Sequence, residues 1–213
     1  MLLCISKHVL EKPAPTMAEL AIVVVANTGV RNGEVRGLRR CDVNIDVPCI
    51  TVSGMAVGGH REERVKADSS AGVRCLELNS FAARAVEIAM EKSTDDVFVF
   101  TRNEAYKDGS EVAVTEQSLR RALKRICDVL GITYRNIHGL RFAVATALAE
   151  SGTNVQTLQK ILGHTTPTMS LHYVRTAEKA TPIQIWSAAD TNGPQIQKIE
   201  NAPNAVNISI RST

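Results

Sequence analysis

The chemically capable side chains of this 213-residue chain lie in two short segments far apart in sequence, and a fold that uses them must bring them together. The first segment is Thr28-Gly29-Val30-Arg31-Asn32-Gly33-Glu34, with Leu38 and Asp42 downstream. The second runs from His138-Gly139-Leu140-Arg141 through Leu162-Gly163-His164 to Tyr173. Together they hold two arginines, two histidines and one tyrosine. That set suits a phenolic oxygen attacking an anionic ester whose charge is held by guanidinium groups.

A phosphodiester is negatively charged and resists nucleophiles. Its cleavage needs rigid cationic donors around the non-bridging oxygens, where charge builds in the transition state. Arginine serves better than lysine, because its planar fork matches two phosphate oxygens. Arg31 and Arg141 are the candidates, each beside an expected helix start where backbone N–H groups also favour anions. Tyr173 is the candidate nucleophile, and its attack would conserve the bond energy for rejoining without ATP. Histidines can shuttle protons, and a lysine can protonate the leaving oxygen. His138 and Arg141 are three apart on one helix and share a face.

Charge distribution agrees with an anionic partner. Net charge is only +3, which alone argues little. Between Arg120 and Arg175, however, eight basic residues stand against Asp128 and Glu150, and Arg31, Arg36, Arg39 and Arg40 stand against Glu34. Such local concentration can present a basic face to a polyanion, although Arg120, Arg121, Lys124 and Arg125 individually fit a solvated helix face. Aromatic residues make up 4% of a chain that is 44% apolar, so Leu, Val, Ile and Ala must fill the core. Five cysteines, none in a C-x-x-C pair, fit reduced thiols in a cytoplasmic protein, with no disulfide framework. His138, His164 and His172 match no metal-ligand spacing, so no metal and no cofactor are expected. No apolar run reaches membrane-spanning length.

The periodicities predict a mostly helical α+β chain with a small antiparallel sheet. Residues 1–15 are expected to be irregular, with Pro13 and Pro15 as punctuation. Thr16 and Glu19 form a capping-box pattern for a helix to about Asn27, broken at Gly29 before a short helix carrying Arg31, Glu34 and Leu38. Strands are expected over Cys49–Ser53, Glu63–Lys66 and Cys75–Leu78, with turns at Gly58-Gly59 and Ser69–Gly72. Helices are expected from Asn79 or Ser80 through Met90, over Thr115–Leu130, from Asn136 to Glu150, over Val155–Leu162, and, after Pro167, from Met169 to Val174. Val97–Phe100 fits a strand or a buried loop. The tail from about Asp190 is polar and Asn-rich, as flexible segments are.

These segments, in this order, resemble the catalytic domain of the tyrosine recombinase family, also called the phage integrase family. Its first box, T-G-x-R-x-x-E-x-x-x-L-x-x-x-D, is matched by Thr28, Gly29, Arg31, Glu34, Leu38 and Asp42. Its H-x-L-R box is matched by His138, Leu140 and Arg141, its L-G-H box by Leu162-Gly163-His164, and Tyr173 follows at the family's usual distance. The resemblance covers about residues 16–176, a catalytic domain that leaves 1–15 as an N-terminal segment and 177–213 as a tail. It implies that Arg31 and Arg141 clamp the scissile phosphate, that Tyr173 forms a 3′-phosphotyrosyl link and releases a 5′-hydroxyl, and that Lys66 is the general acid. His138 would assist proton transfer, His164 would hydrogen-bond the phosphate, and Glu34 would buttress the arginine helix. The partner implied is double-stranded DNA, bound by a homo-oligomer, a tetramer in this family, with residues 177–188 and Trp186 as a candidate contact between copies.

Two departures stand out. Where the family often has a second histidine after the H-x-L-R arginine this chain has Phe142, and where it often has Trp before the first-box aspartate it has Arg40. Family members also usually carry an N-terminal helical domain that closes a clamp around DNA, for which this chain has no room. The expectation is site-specific cleavage and rejoining of duplex DNA. Two rivals stay open: relaxation of supercoils in the manner of a type IB topoisomerase, and a non-catalytic DNA-binding fragment. The target sequence is not legible.

Overall fold

The computed structural model describes residues 1–57, 60–63, 73–93, 97–102 and 113–179. Eight α-helices occur among them: α1 (Leu2–Leu10), α2 (Met17–Thr28), α3 (Asn32–Arg36), α4 (Ser80–Lys92), α5 (Glu116–Leu130), α6 (Ile137–Glu150), α7 (Val155–Leu162) and α8 (Pro167–Lys179). Five short strands accompany them: β1 (Val43–Asn44), β2 (Cys49–Val52), β3 (Gly54–Val57), β4 (His60–Glu63) and β5 (Arg74–Glu77). The class is α+β and mainly helical, as the periodicities predict.

α2 is the hub. Every residue from Leu20 to Val25 is at most 1% exposed, and a helix apolar on all sides can only be buried on all sides. α1, α4, α5 and α6 pack around it. Its start is the expected capping box: Thr16 Oγ1 accepts from Glu19 N–H, and Glu19 Oε2 accepts from Thr16 N–H at 2.8 Å. Its end is Gly29, left-handed at φ +68°, where a Cβ would also stand 3.2 Å from both Leu162 and Val144 side-chain carbons. The turn that delivers Arg31 therefore needs glycine for conformation and for space. Asn79, Thr115, Asn136 and Asn154 cap the starts of α4, α5, α6 and α7 in the same side-chain-to-backbone manner.

Three expectations are corrected. Residues 1–15 are not irregular throughout: Leu2–Leu10 is helical, with Ile5 and Val9 fully buried in the main core. Leu2, Ile5 and Val9 are spaced as one helix face, and that apolar stripe outweighs the downstream prolines. The strands form two sheets rather than one, β1-β2-β5 and β3-β4, both antiparallel. β3 is an added strand, lying against α3 so closely that a Cβ on Gly37 would meet Ala56 N at 2.8 Å. The strand expected to begin at Glu63 begins at His60. Arg64–Lys66, both expected glycine turns and the tail beyond 179 lie outside the described residues. Val97–Phe100 is a connection with one bridge, Arg39 to Phe98, exposed at Val97 and fully buried at Val99 and Phe100. Among the described residues no helix is long and apolar enough to cross a membrane.

Candidate active site

The end of α7 is where the two sequence segments meet. Gly163 is left-handed at φ +61° and closes the helix, so that Gly163 N–H donates to Lys160 O and His164 N–H to Gln159 O. The next three carbonyls have no partner within the helix. Each receives an arginine from a different element. Arg74 of β5 donates from Nε to Ile161 O at 2.8 Å, Arg141 of α6 from Nη2 to Leu162 O at 2.6 Å, and Arg31 before α3 from Nη2 to Gly163 O at 2.9 Å. Successive carbonyls thus hold three guanidinium groups in one place, at the negative end of a helix dipole.

Glu34 binds this cluster from below. Its side chain is fully buried. Oε1 accepts from Arg31 Nη1 at 2.9 Å and Arg74 Nη1 at 3.2 Å, while Oε2 accepts from Arg31 N–H and Arg74 Nη2, both at 2.8 Å. Burial opposes the Glu34 charge, but the hydrogen bonds and charges of Arg74 and Arg31 outweigh it and hold the carboxyl at about 2. Arg141 is only 2% exposed and also donates from Nη1 to Gly29 O at 2.7 Å. Burial first, then the neighbouring Arg31 charge, lowers it to about 10, so it stays cationic at neutral pH. Arg31 has 28% of its side chain exposed and is the more accessible of the pair.

His164 follows directly on Gly163. It is buried, and its Nδ1 lies 2.9 Å from Ser170 Oγ. Burial, then the Arg141, Arg31 and Arg74 charges, press it down to about 4, so the ring is neutral at physiological pH. Tyr173 stacks on it, ring centroids 5.9 Å apart and planes 13° apart. Phe142, the departure from the family pattern, covers another side of Tyr173 at 5.3 Å, so that position supports the tyrosine ring. Tyr173 is 8% exposed and belongs to a small apolar cluster with Ala145, Leu158 and Leu162. His138 stands exposed on the first turn of α6, and its charge reaches His164.

Of the six sequence candidates, Arg31, Arg141, His164 and Tyr173 are brought together around the α7 end, with His138 beside them. Lys66 lies outside the described residues. Arg74, outside the sequence motifs, joins the cluster. Its partners Glu34 and Ile161 are 40 and 87 positions away, and the one local sign is its place in alternation with buried Leu76 and Leu78 on the inward face of β5. A cleft of about 580 Å³ between β5 and α7 is lined by Arg74, Cys75, Gln159, Lys160 and His164. Among the described residues no group of three or more His, Cys, Asp or Glu side chains is arranged to hold a metal.

The two shifted groups predict acid sensitivity. His164 is held below its ordinary 6.5, so the unfolded chain binds a proton first, and stability falls as pH drops from about 6.5 to about 4. Glu34 is held below its ordinary 4.5, so its contribution is intact above that value and falls away between about 4.5 and about 2. The Glu34 step alone is about 3 kcal/mol. Thermal melts across this range should show two losses on acidification, with Glu34→Gln removing the lower one. A melting temperature that stays level from neutral pH to pH 3 would contradict both assignments.

A family model described as the phage integrase family matches residues 2–180, a span that includes α1. The chain is 28% identical over 139 residues to tyrosine recombinase XerC of Oceanobacillus iheyensis, covering 64% of this chain and 42% of that protein. It thus spans less than half of that relative's length. Among solved structures it is similar to the Tn1549 transposon integrase in complex with circular intermediate DNA, with TM-score 0.62, 22% identity, and 79% of this chain and 58% of that one covered. It is also similar to XerA recombinase, with TM-score 0.62, 20% identity and coverage of 83% and 58%. XerH recombinase bound to palindromic difH substrate in a post-cleavage complex gives TM-score 0.60, 21% identity and coverage of 83% and 48%. The fold is that of tyrosine recombinase catalytic domains. With the family model matched from residue 2 to residue 180, the chain belongs to the phage integrase family.

Proposed function

We propose that this chain cleaves and rejoins duplex DNA at specific sites through a 3′-phosphotyrosyl intermediate. The observation that carries the reading is the meeting of Arg31 and Arg141 on adjacent carbonyls, with His164 next in the chain and Tyr173 stacked on its ring. A guanidinium has five N–H donors, and these bonds use two on each arginine. The remaining donors, fixed in direction by the carbonyls, suit the non-bridging oxygens of a phosphate. Tyr173 Oη would attack phosphorus, its phenolic proton passing to His138, and the tyrosyl O–P bond would form as the P–O5′ bond breaks. The leaving 5′ oxygen would take a proton, for which Lys66 is the proposed donor and His138 the assistant. His164 is neutral at working pH, so its ring can donate one hydrogen bond without adding charge. Return attack by a 5′-hydroxyl restores the backbone, so no high-energy cofactor is required.

Relatives named as recombinases and integrases favour strand exchange over supercoil relaxation. Duplex DNA is the proposed partner, bound by a homo-oligomer, with residues 16–176 as the catalytic unit and 177–213 as a contact between copies. The test is a pool of labelled, nicked duplexes with a randomised core, incubated with the full chain and resolved under denaturing conditions. A protein-linked strand is expected, and the strands recovered from it report the preferred site. Absence of any such species would overturn the proposal.

Binding should depend on salt. Two phosphate-clamping arginines alone give a slope of about −1.8 in log affinity against log salt, or roughly tenfold weaker binding between 50 and 200 mM. Fluorescence anisotropy with a labelled duplex checks this, and a flat response would exclude a phosphate clamp.

A further inference from the structure

We infer that Arg74 is a positioning residue for the cleavage step, acting through Glu34 and the end of α7 to set Arg31 and His164. The inference rests on the proposed tyrosyl chemistry and adds to it a residue from a strand outside the sequence motifs. Arg31 has two side-chain anchors, Glu34 Oε1 and Gly163 O. Arg74 holds both. Its Nη1 and Nη2 take the two oxygens of Glu34, and its Nε takes Ile161 O, two residues before Gly163. His164 is the residue after that anchor, so the same grip fixes where its ring begins.

Arginine suits this task because one rigid plane presents three donors, two to a carboxylate and one to a carbonyl. A lysine ammonium could reach one partner well but could not hold the other at the same angle. The strand supplies the rest of the constraint. Arg74 pairs with Val52 in the antiparallel β2-β5 ladder, and its side chain is 7% exposed. Without it, Glu34 would keep a buried charge facing Arg31 directly and Arg141 at longer range. Either Arg31 would swing further onto Glu34, or Glu34 would take up a proton. Both move the guanidinium away from its present line, and a displacement of about 1 Å in such a group can cost roughly a hundredfold in rate.

The experiment uses the full chain and the nicked duplex recovered from the randomised pool. Arg74→Gln should slow single-turnover adduct formation roughly a hundredfold while duplex affinity stays within about threefold. Arg74→Lys should recover part of the loss, to within about tenfold of the unaltered chain. The acid limb of the rate–pH profile should move to higher pH in Arg74→Gln, because Glu34 then loses its close Arg74 partner while Arg31 stays, with Arg141 and His164 beyond. A rate equal to the unaltered chain would overturn the inference. So would a loss of affinity matching the loss of rate with the acid limb unmoved, the mark of a merely structural arginine. If Arg74→Gln does not fold, the rate and pH profile of Arg74→Lys decide the same question. An unaltered chain that forms no adduct overturns the proposed activity and this inference with it. Normal adduct formation by both the unaltered chain and Arg74→Gln overturns the inference alone.

Discussion

Tyr173→Phe is expected to remove covalent adduct formation completely while leaving duplex affinity within about twofold. The variant deletes one hydroxyl and keeps everything that seats the ring. Stacking on His164 and packing on Phe142 are contacts of the aromatic face and edge, which phenylalanine reproduces. The apolar cluster with Ala145, Leu158 and Leu162 is unchanged in volume, so stability should move by less than about 1 kcal/mol. Binding depends on the arginines and on charge, not on the phenol. Loss of adduct with retained binding and an unchanged melting temperature would therefore isolate the nucleophile. Adducts that persist in Tyr173→Phe would show that another side chain attacks phosphorus. An equal loss of binding would show that the hydroxyl anchors DNA instead.

Much of this arrangement is legible in the sequence because its signals are local. A capping residue makes its hydrogen bond three positions downstream, so Thr16, Thr115, Asn136 and Asn154 mark helix starts wherever the chain goes afterwards. Gly29 and Gly163 likewise mark helix ends through their own backbone angles. Those starts and ends place Arg31, Arg141 and His164, which is why the motif reading finds them. The short strands carry weaker signals. β3 is four residues long and begins with glycine, and its partner is another four-residue strand, too little alternation to distinguish it from a turn. α1 has its own local signal, since Leu2, Ile5 and Val9 carry the helical spacing and the prolines lie beyond the helix. Arg74 is a different case. Its alternation with Leu76 and Leu78 places it on the inward face of β5, but its role arises only where Glu34 and Ile161 arrive from elsewhere in the chain.

Arg141→Met should destabilise the protein by about 3 kcal/mol and reduce cleavage by roughly a hundred- to a thousandfold. The direction is not obvious beforehand, because two effects oppose each other. Arg141 carries a charge into a site where it is 2% exposed and lies close to Arg31 and Arg74. Removing a buried cation from among like charges relieves desolvation and repulsion, and apolar replacements of buried ions are often neutral. Here, however, the arginine also satisfies Gly29 O and Leu162 O. Leu162 O is at the end of a helix with no intrahelical donor, and Gly29 O lies in the turn against which α7 packs. Methionine fills the volume but donates nothing, leaving two buried carbonyls at about 1–3 kcal/mol each. Their sum exceeds the relief, since Glu34 and the α7 dipole already offset part of the repulsion. For a domain of this size the loss corresponds to a fall of about 6–12 °C in melting temperature. Arg141→Lys should lie between the two, keeping the charge but reaching one carbonyl instead of both. An Arg141→Met protein that melts at the unaltered temperature would mean that the guanidinium is tolerated rather than required by the fold. It would then be held in place for the phosphate alone, at a net cost to stability near zero.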